Sequence, residues 1–232
     1  NTNTNQIEHI YRFDDLDKTK SGLNDMRIDH KRNLAYLSDP GQAAIIILDL
    51  KTGLTRKALT GSRFTLADPD VLLSYNGIEM RSENGKPFSS NVNGIALSHD
   101  FKYLYFKAIN QTHLYCIATE FLADAGLTDQ ELEAKVEDKG EVGITHGLLA
   151  DIDGNIYLTS SIDYSIKYLN PEGNVNTLVR DSRILWPDSM GISGDGHLYF
   201  SCAQLFKDPQ WNKGADKVEL PYYVFKVKLP KF

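Results

Sequence analysis

One pattern occurs four times along this chain, and it limits the fold more than any other feature. The copies are "NDMRIDHKRNLAYLSD" from Asn24, "NGIALSHDFKYLYFKA" from Asn93, "HGLLADIDGNIYLTS" from His146 and "DSMGISGDGHLYFS" from Asp188. Each begins with a polar residue, alternates into a short strand, turns, and re-enters at Tyr36, Tyr105, Tyr157 or Tyr199. The tyrosine follows its leading residue by 12, 12, 11 and 11 positions. The turns "DHKRN", "SHDFK", "DIDGN" and "SGDGH" carry residues that hairpin loops favour, with period-2 alternation on either side. Each repeat therefore opens with a β-hairpin. A third strand and usually a fourth follow, as in "AIIILDL" then "TRKAL" and "SIKYLNP" then "VNTLVR". Four antiparallel strands per repeat make the blade of a β-propeller, so the fold class is all-β, with about four four-stranded blades in one domain over 1–232.

The leading residues lie 69, 53 and 42 positions apart, whereas a bare blade needs roughly 40 to 50 residues. The surplus falls in two insertions, 60–91 and 118–139. The first should hold an extra hairpin turning at "ENGK". The second contains "LTDQELEAKV", where Thr128 and Glu131 have the spacing of a capping box on a short helix. The opening "NQIEHIYRFDD" reads as a lone outer strand of a further blade. Because an open propeller leaves sheet edges unpaired, these blades are expected to belong to a longer propeller lacking roughly two blades here.

In a propeller the first strand of each blade lines the axis, so Asn24, Asn93, His146 and Asp188 should ring one mouth of a central channel. Asp25, Asp39, Lys107 and Ser160 stand next to that ring. Asn24, Asn93 and Asp188 offer the oxygen ligands that calcium or another hard divalent cation takes. The competing reading is that Asn, Asp and His before a strand satisfy loop backbone groups. His146 suits a general base or an aromatic contact better than a calcium site. Trp186, Phe206 and Trp211 fall in loops, where they either pack on a ligand, including an amine through cation–π contact, or cover the core. A G-x-S-x-G elbow, an H-E-x-x-H, a C-x-x-C and a P-loop are all absent from the sequence.

A formal net charge of -6, without a long Lys/Arg cluster, argues against a nucleic-acid or anionic-membrane partner and favours a small molecule. The longest apolar run, "AAIIILDL", is a buried strand rather than a membrane span. The polar start shows no secretory signal. Cys116 and Cys202 sit among aromatic and apolar residues and should be buried free thiols. "NQT" at Asn110 is a glycosylation acceptor in a eukaryotic secreted setting.

The segments "GLNDMRIDHKRNLAYLSDPGQAAIIILDLKTG", "VNGIALSHDFKYLYF" and "LVRDSRILWPDSMGISGDGHLYFSCAQLF" resemble the yellow/major royal jelly protein family, particularly its bacterial members. The resemblance runs nearly the whole chain, and its last segment is the most specific. It implies a six-bladed propeller, a secreted or periplasmic location, and a central channel that in several insect members binds biogenic amines. It supplies no family-wide catalytic residues. A more distant resemblance links the same residues to the senescence-marker/gluconolactonase propellers, whose divalent metal is held by residues leading successive blades. Asn24 and Asn93 match that family's two Asn motifs. His146 stands where it has a metal-binding Asp, and the blade carrying its Glu is not in this sequence. Two function classes follow: a propeller binding a small aromatic or amine-like molecule, with Asn24, Asp25, Asn93, His146, Asp188, Lys107 and Trp186 as contacts, or a metal-dependent lactonase-type hydrolase.

Overall fold

The computed structural model describes residue 1 and residues 3–230. The repeats become blades. The first is β1 (Met26–Asp29), β2 (Leu34–Asp39), β3 (Ala44–Asp49) and β4 (Thr55–Ala58). A small hairpin, β5 (Ser74–Tyr75) and β6 (Ile78–Glu79), lies in the first insertion. The second blade is β7 (Val92–Leu97), β8 (Tyr103–Ala108) and β9 (His113–Ala118); after helices α1 (Thr119–Ala123) and α2 (Asp129–Glu133) it is completed by β10 (Glu137–Glu141). The third is β11 (Leu148–Ala150), β12 (Ile156–Ser160), β13 (Ser165–Leu169) and β14 (Val175–Arg180). The fourth has three strands, β15 (Pro187–Ile192), β16 (His197–Cys202) and β17 (Val224–Lys228). All neighbours pair antiparallel, and the four expected turns connect the first two strands of each blade. Gly154 and Gly196 take left-handed φ values of 87° and 78° in two of these turns, which a side chain there would resist. The repeated tyrosine is explained in two blades by the turn's carboxylate: Tyr157 Oη donates to Asp151 at 3.0 Å and Tyr36 Oη to Asp29 at 3.4 Å.

Apolar side chains fill the seams between successive blades. Tyr36, Ile45 and Ile47 meet Val92, Ile95 and Phe106; Ala96 and Leu114 meet Leu148 and Leu158; Tyr157 and Ile166 meet Leu198, Phe200 and Cys202. Each buried Leu, Ile or Phe contributes roughly 1.5–3 kcal/mol. The continuous apolar run of β3 is explained by cover on both faces: Ile45 and Ile47 face the second blade, while Ala44, Ile46 and Leu48 face Leu16, Tyr11 and Phe13.

That cover corrects one expectation. Asn5–Asp15 forms no strand. The segment instead straps the flank of the first blade: Tyr11 Oη donates to the Leu50 carbonyl at 2.8 Å, and the Thr55 amide donates to Asp15 at 2.6 Å. Its aromatic side chains Tyr11 and Phe13 pack against the apolar residues of β2 and β3, which removes that apolar surface from water. The first insertion holds two turns where one was expected: β5–β6 reverses at Asn76-Gly77, and "ENGK" closes a separate single bridge between Arg81 and Pro87. The capping box forms as expected, with Thr128 Oγ1 accepting from the Glu131 amide and Glu131 accepting from the Thr128 amide. Among the described residues no helix is long and apolar enough to cross a membrane. Cys116 and Cys202 are free and buried, and burial pushes their thiols up to about 12 and about 11.

Candidate functional site

The four leading residues converge, and two glycines explain how. Gly94, just after Asn93, lies directly against the His146 carbonyl; Gly147, just after His146, lies directly against the Asp188 carbonyl. A Cβ at either glycine would collide with that backbone oxygen, so only glycine lets successive inner strands approach this closely. The Gly147 amide is held by Thr159 Oγ1 at 2.7 Å. On the other side, Ser38 Oγ and, at 3.5 Å, Asn24 Nδ2 both donate to the Asn93 carbonyl. Asn24, Asn93, His146 and Asp188 consequently line one cavity of about 330 Å³, together with Phe88, Ser89, Ser90, Ile109, Trp186 and Leu205.

His146 is the most constrained group in it. Its side chain is buried, its ring stacks on Trp186 with centroids 4.1 Å apart, and Nε2 is hydrogen-bonded to Ser161 Oγ. Its Nδ1 is buried and has no hydrogen-bond partner among the described residues. Burial, with the nearby Lys107 adding to it, pushes the imidazole down to about 3, so the ring is neutral at physiological pH. Asp188 has the opposite problem. Burial, then the neighbouring Asp25, raises its pKa, and burial likewise raises that of Asp25 against the pull of Arg27. Arg27 lies 3.8 Å from Asp25 and donates from Nη2 to the Leu148 carbonyl at 2.7 Å, tying the first blade to the third.

One wall of the site comes from loops instead of blades. Trp186, at φ +57°, packs with Leu73, Tyr75, Met80 and Phe88 of the first insertion and with Phe206 and Trp211 of the segment after β16. Tyr75 and Phe206 stack face to face at 4.2 Å, and Phe88 meets Trp186 and Trp211 edge-on, each at 5.6 Å. The cover is pinned by polar residues beyond β8. Asn110 donates to the Val71 and Phe88 carbonyls and accepts from the Ser90 amide, while Gln111 donates to the Arg63 and Leu66 carbonyls.

Several sequence expectations therefore change. Lys107 is fully buried outside the cavity, donating to the Ala108 and Gln111 carbonyls beneath this cover; burial alone lowers its pKa to about 7. Asp39 is saturated by Ser21, Gly22 and Gln42. Ser160 is buried against Asp163, and the hydroxyl that reaches His146 belongs to the next residue, Ser161. Asn110 is buried, so the "NQT" side chain is closed to glycosylation in the folded chain. Of the loop aromatics, Trp186 lines the cavity, whereas Phe206 and Trp211 pack behind it. Nothing in the repeats signals Ser161 or the insertion residues Tyr75, Phe88, Ser89 and Ser90. Among the described residues no three His, Cys, Asp or Glu side chains form a metal-holding group. The oxygen donors of Asn24, Asn93 and Asp188 suit a hard cation chemically, with Asp25 as a second nearby carboxylate.

A family model for major royal jelly protein matches residues 1–212. No curated protein matches the chain. Solved structures share the fold at low identity. A chain of a nidogen/laminin complex aligns with TM-score 0.55 and 15% identity over 81% of this chain. The hydrazine synthase of Kuenenia stuttgartiensis aligns with TM-score 0.55 and 10% identity over 96%. A protein described as a gluconolactonase aligns with TM-score 0.51 and 12% identity over 79%. This chain spans 59%, 49% and 56% of those chains respectively, less than two thirds of each.

Proposed function

Since the chain belongs to the major royal jelly protein family, we propose that its propeller captures a small aromatic or amine-like molecule in the axial cavity ringed by Asn24, Asn93, His146 and Asp188. The observation that carries this reading is the convergence of Asn24, Asn93, His146 and Asp188 with the aromatic side chains of Trp186 and Phe88 around one cavity, where burial raises the pKa of the Asp188 carboxyl. A cationic amine lying beside Asp188 would relieve its repulsion with Asp25, and an aromatic ring has Trp186 and Phe88 as walls.

Trp186 also supplies the readout. Titrating the protein with phenethylamine or tyramine should change tryptophan fluorescence saturably, and Asp188→Asn should weaken binding about tenfold. A response absent up to millimolar ligand, or unchanged by Asp188→Asn and His146→Gln together, sinks the reading.

The paired carboxyls Asp25 and Asp188 support a second reading, in which Asn24, Asn93 and Asp188 hold a divalent cation and the chain acts as a lactonase-type hydrolase. Such a cation would supply Lewis acidity toward a lactone carbonyl. Calcium should then raise the melting temperature of the wild type and not of Asp188→Asn; no shift with calcium or zinc removes this reading.

A further inference from the structure

Glycine follows asparagine at Asn76-Gly77, Asn84-Gly85 and Asn93-Gly94. In such a pair the glycine amide nitrogen can add to the asparagine Cγ, because no side chain shields it. The surroundings decide whether it does, and the three pairs are held differently. Asn93 and Gly94 lie inside β7, with Gly94 directly against the His146 carbonyl, so the peptide between them cannot turn. Asn84 and Gly85 are exposed but tied. The Gly85 amide donates to the Ser82 carbonyl at 2.8 Å, and Asn84 Oδ1 accepts from Ser82 Oγ at 2.6 Å and from the Lys86 amide at 3.2 Å. Asn76 and Gly77 are the central residues of the β5–β6 reversal, at φ values of 52° and 78°, as a type I′ turn requires. Both are exposed. Among the described residues the Gly77 amide has no hydrogen-bond acceptor, and the Asn76 side chain has a single bond, its Oδ1 accepting from Tyr164 Oη at 3.2 Å.

We propose that Asn76-Gly77 is a site of spontaneous covalent modification, and that the change reaches the aromatic cover. The Gly77 nitrogen bonds to Asn76 Cγ and gives up its proton through solvent to the side-chain nitrogen. The Cγ–Nδ2 bond breaks, ammonia leaves, and a five-membered succinimide remains. Water then opens the ring at either carbonyl, giving aspartate or isoaspartate; the balance is one water in and one ammonia out, with no oxidant or cofactor. In isoaspartate the main chain runs through Cβ and Cγ and is one methylene longer. A two-residue reversal has no slack for that methylene. Tyr75, the residue before it, stacks on Phe206 at 4.2 Å. Asn76 also ties the first insertion to Tyr164, which packs in the seam between the third and fourth blades. Conversion therefore loosens the cover from its outer edge, whatever the axial cavity binds.

Peptide mapping by mass spectrometry of the folded protein, aged in mildly alkaline buffer, tests the site, with aspartate and isoaspartate products separated chromatographically. The peptide carrying Asn76 should convert at least about tenfold faster than the one carrying Asn84, because three hydrogen bonds hold the Asn84-Gly85 pair. The peptide carrying Asn93 should stay intact. In concentrated urea the three rates should converge. Conversion at Asn84 as fast as at Asn76, or none at Asn76, overturns the assignment. Hydrogen exchange tests the transmission. In aged wild type it should quicken across 73–80 and not in β11–β14. Asn76→Gly keeps a sequence suited to the turn and has no side chain to cyclise, so its aged and fresh samples should exchange alike. Equal exchange in aged and fresh wild type, with Asn76 converted, overturns the link to the cover.

Discussion

His146 has two different surroundings. On one side lie residues that lead the blades, brought together by Gly94 and Gly147 and by side-chain bonds from Asn24 and Ser38 to the Asn93 carbonyl. On the other lie Trp186, Tyr75, Phe88, Phe206 and Trp211, from segments that no repeat contains. The first side is made by backbone approaching backbone, which tolerates no extra atom. The second is made by side chains packing on side chains and is held by the amides of Asn110 and Gln111. A propeller can therefore keep its axial ring fixed while the cover varies with insertion sequence, and the cavity is lined by both.

The sharpest way to break this comparison is one methyl group placed in two strands. Gly147→Ala puts a Cβ into the Asp188 carbonyl and should cost about 4 kcal/mol, or prevent folding. Gly191→Ala, in β15 with nothing within contact distance, should stay within about 0.5 kcal/mol of the wild type. Urea midpoints measure both. Similar losses at the two sites would mean that the close approach at the axis is not what sets the blade spacing.

The cover should respond less severely. Trp186→Ala removes a buried indole from between His146 and the insertion aromatics and should cost about 3 kcal/mol. The blades should survive it, because their seams are filled by other residues. Unchanged far-ultraviolet circular dichroism with a lowered melting temperature is the expected pattern. Loss of the β signal itself would make the cover part of the propeller core.

The same contrast decides what could be read from sequence. The four hairpins and the convergence of Asn24, Asn93, His146 and Asp188 were legible because a repeated pattern fixes both period and orientation. The glycines after Asn93 and His146 were also visible, although their reason, a carbonyl from the next blade, exists only in three dimensions. Ser161 was missed by one position. Ser160 has the strand register expected of a neighbour of the ring, but the chain leaves β12 there, and the following residue turns its hydroxyl onto His146. Lys107 was misread because a lysine in an inner hairpin suggests a ligand contact. Here it ends as a buried amine between two carbonyls, a pairing that sequence does not reveal. The aromatic cover was legible only in its loop half, Trp186, Phe206 and Trp211; their partners Leu73, Tyr75, Met80 and Phe88 come from 60–91, and no periodicity relates the two segments.

Cutting the tether should have a smaller effect than emptying the cover. Asn110→Ala leaves the Val71 and Phe88 carbonyls and the Ser90 amide without their partner and should cost about 2 kcal/mol. Hydrogen exchange should then quicken across 71–90 and not in β11–β14. Uniform loss of protection would show that cover and blades unfold as one unit.

The smallest effect is the acid limb of the pH dependence, which lies below the range in which the buried lysine under the cover titrates. His146 is pushed down to about 3 in the folded chain, against an ordinary value near 6.5. The unfolded chain therefore binds more protons between those values, and stability falls as pH drops through that window. From pH 7 to pH 5.5 this should amount to about 1 kcal/mol. Asp25 and Asp188, raised in the folded chain, act in the opposite sense, since the stability they favour is greatest below their ordinary pKa and declines as pH rises past it. They oppose the acid loss as pH falls toward their ordinary value. Lys107, under the cover, is lowered to about 7, so its burial penalty is relieved as pH rises from 7 toward its ordinary 10.5. His146→Gln should flatten the acid limb alone, and Lys107→Met the alkaline slope alone, in thermal melts from pH 5 to pH 10. An acid limb that persists in His146→Gln would place the titrating group elsewhere, and the axial imidazole would not be the buried neutral base that its surroundings require.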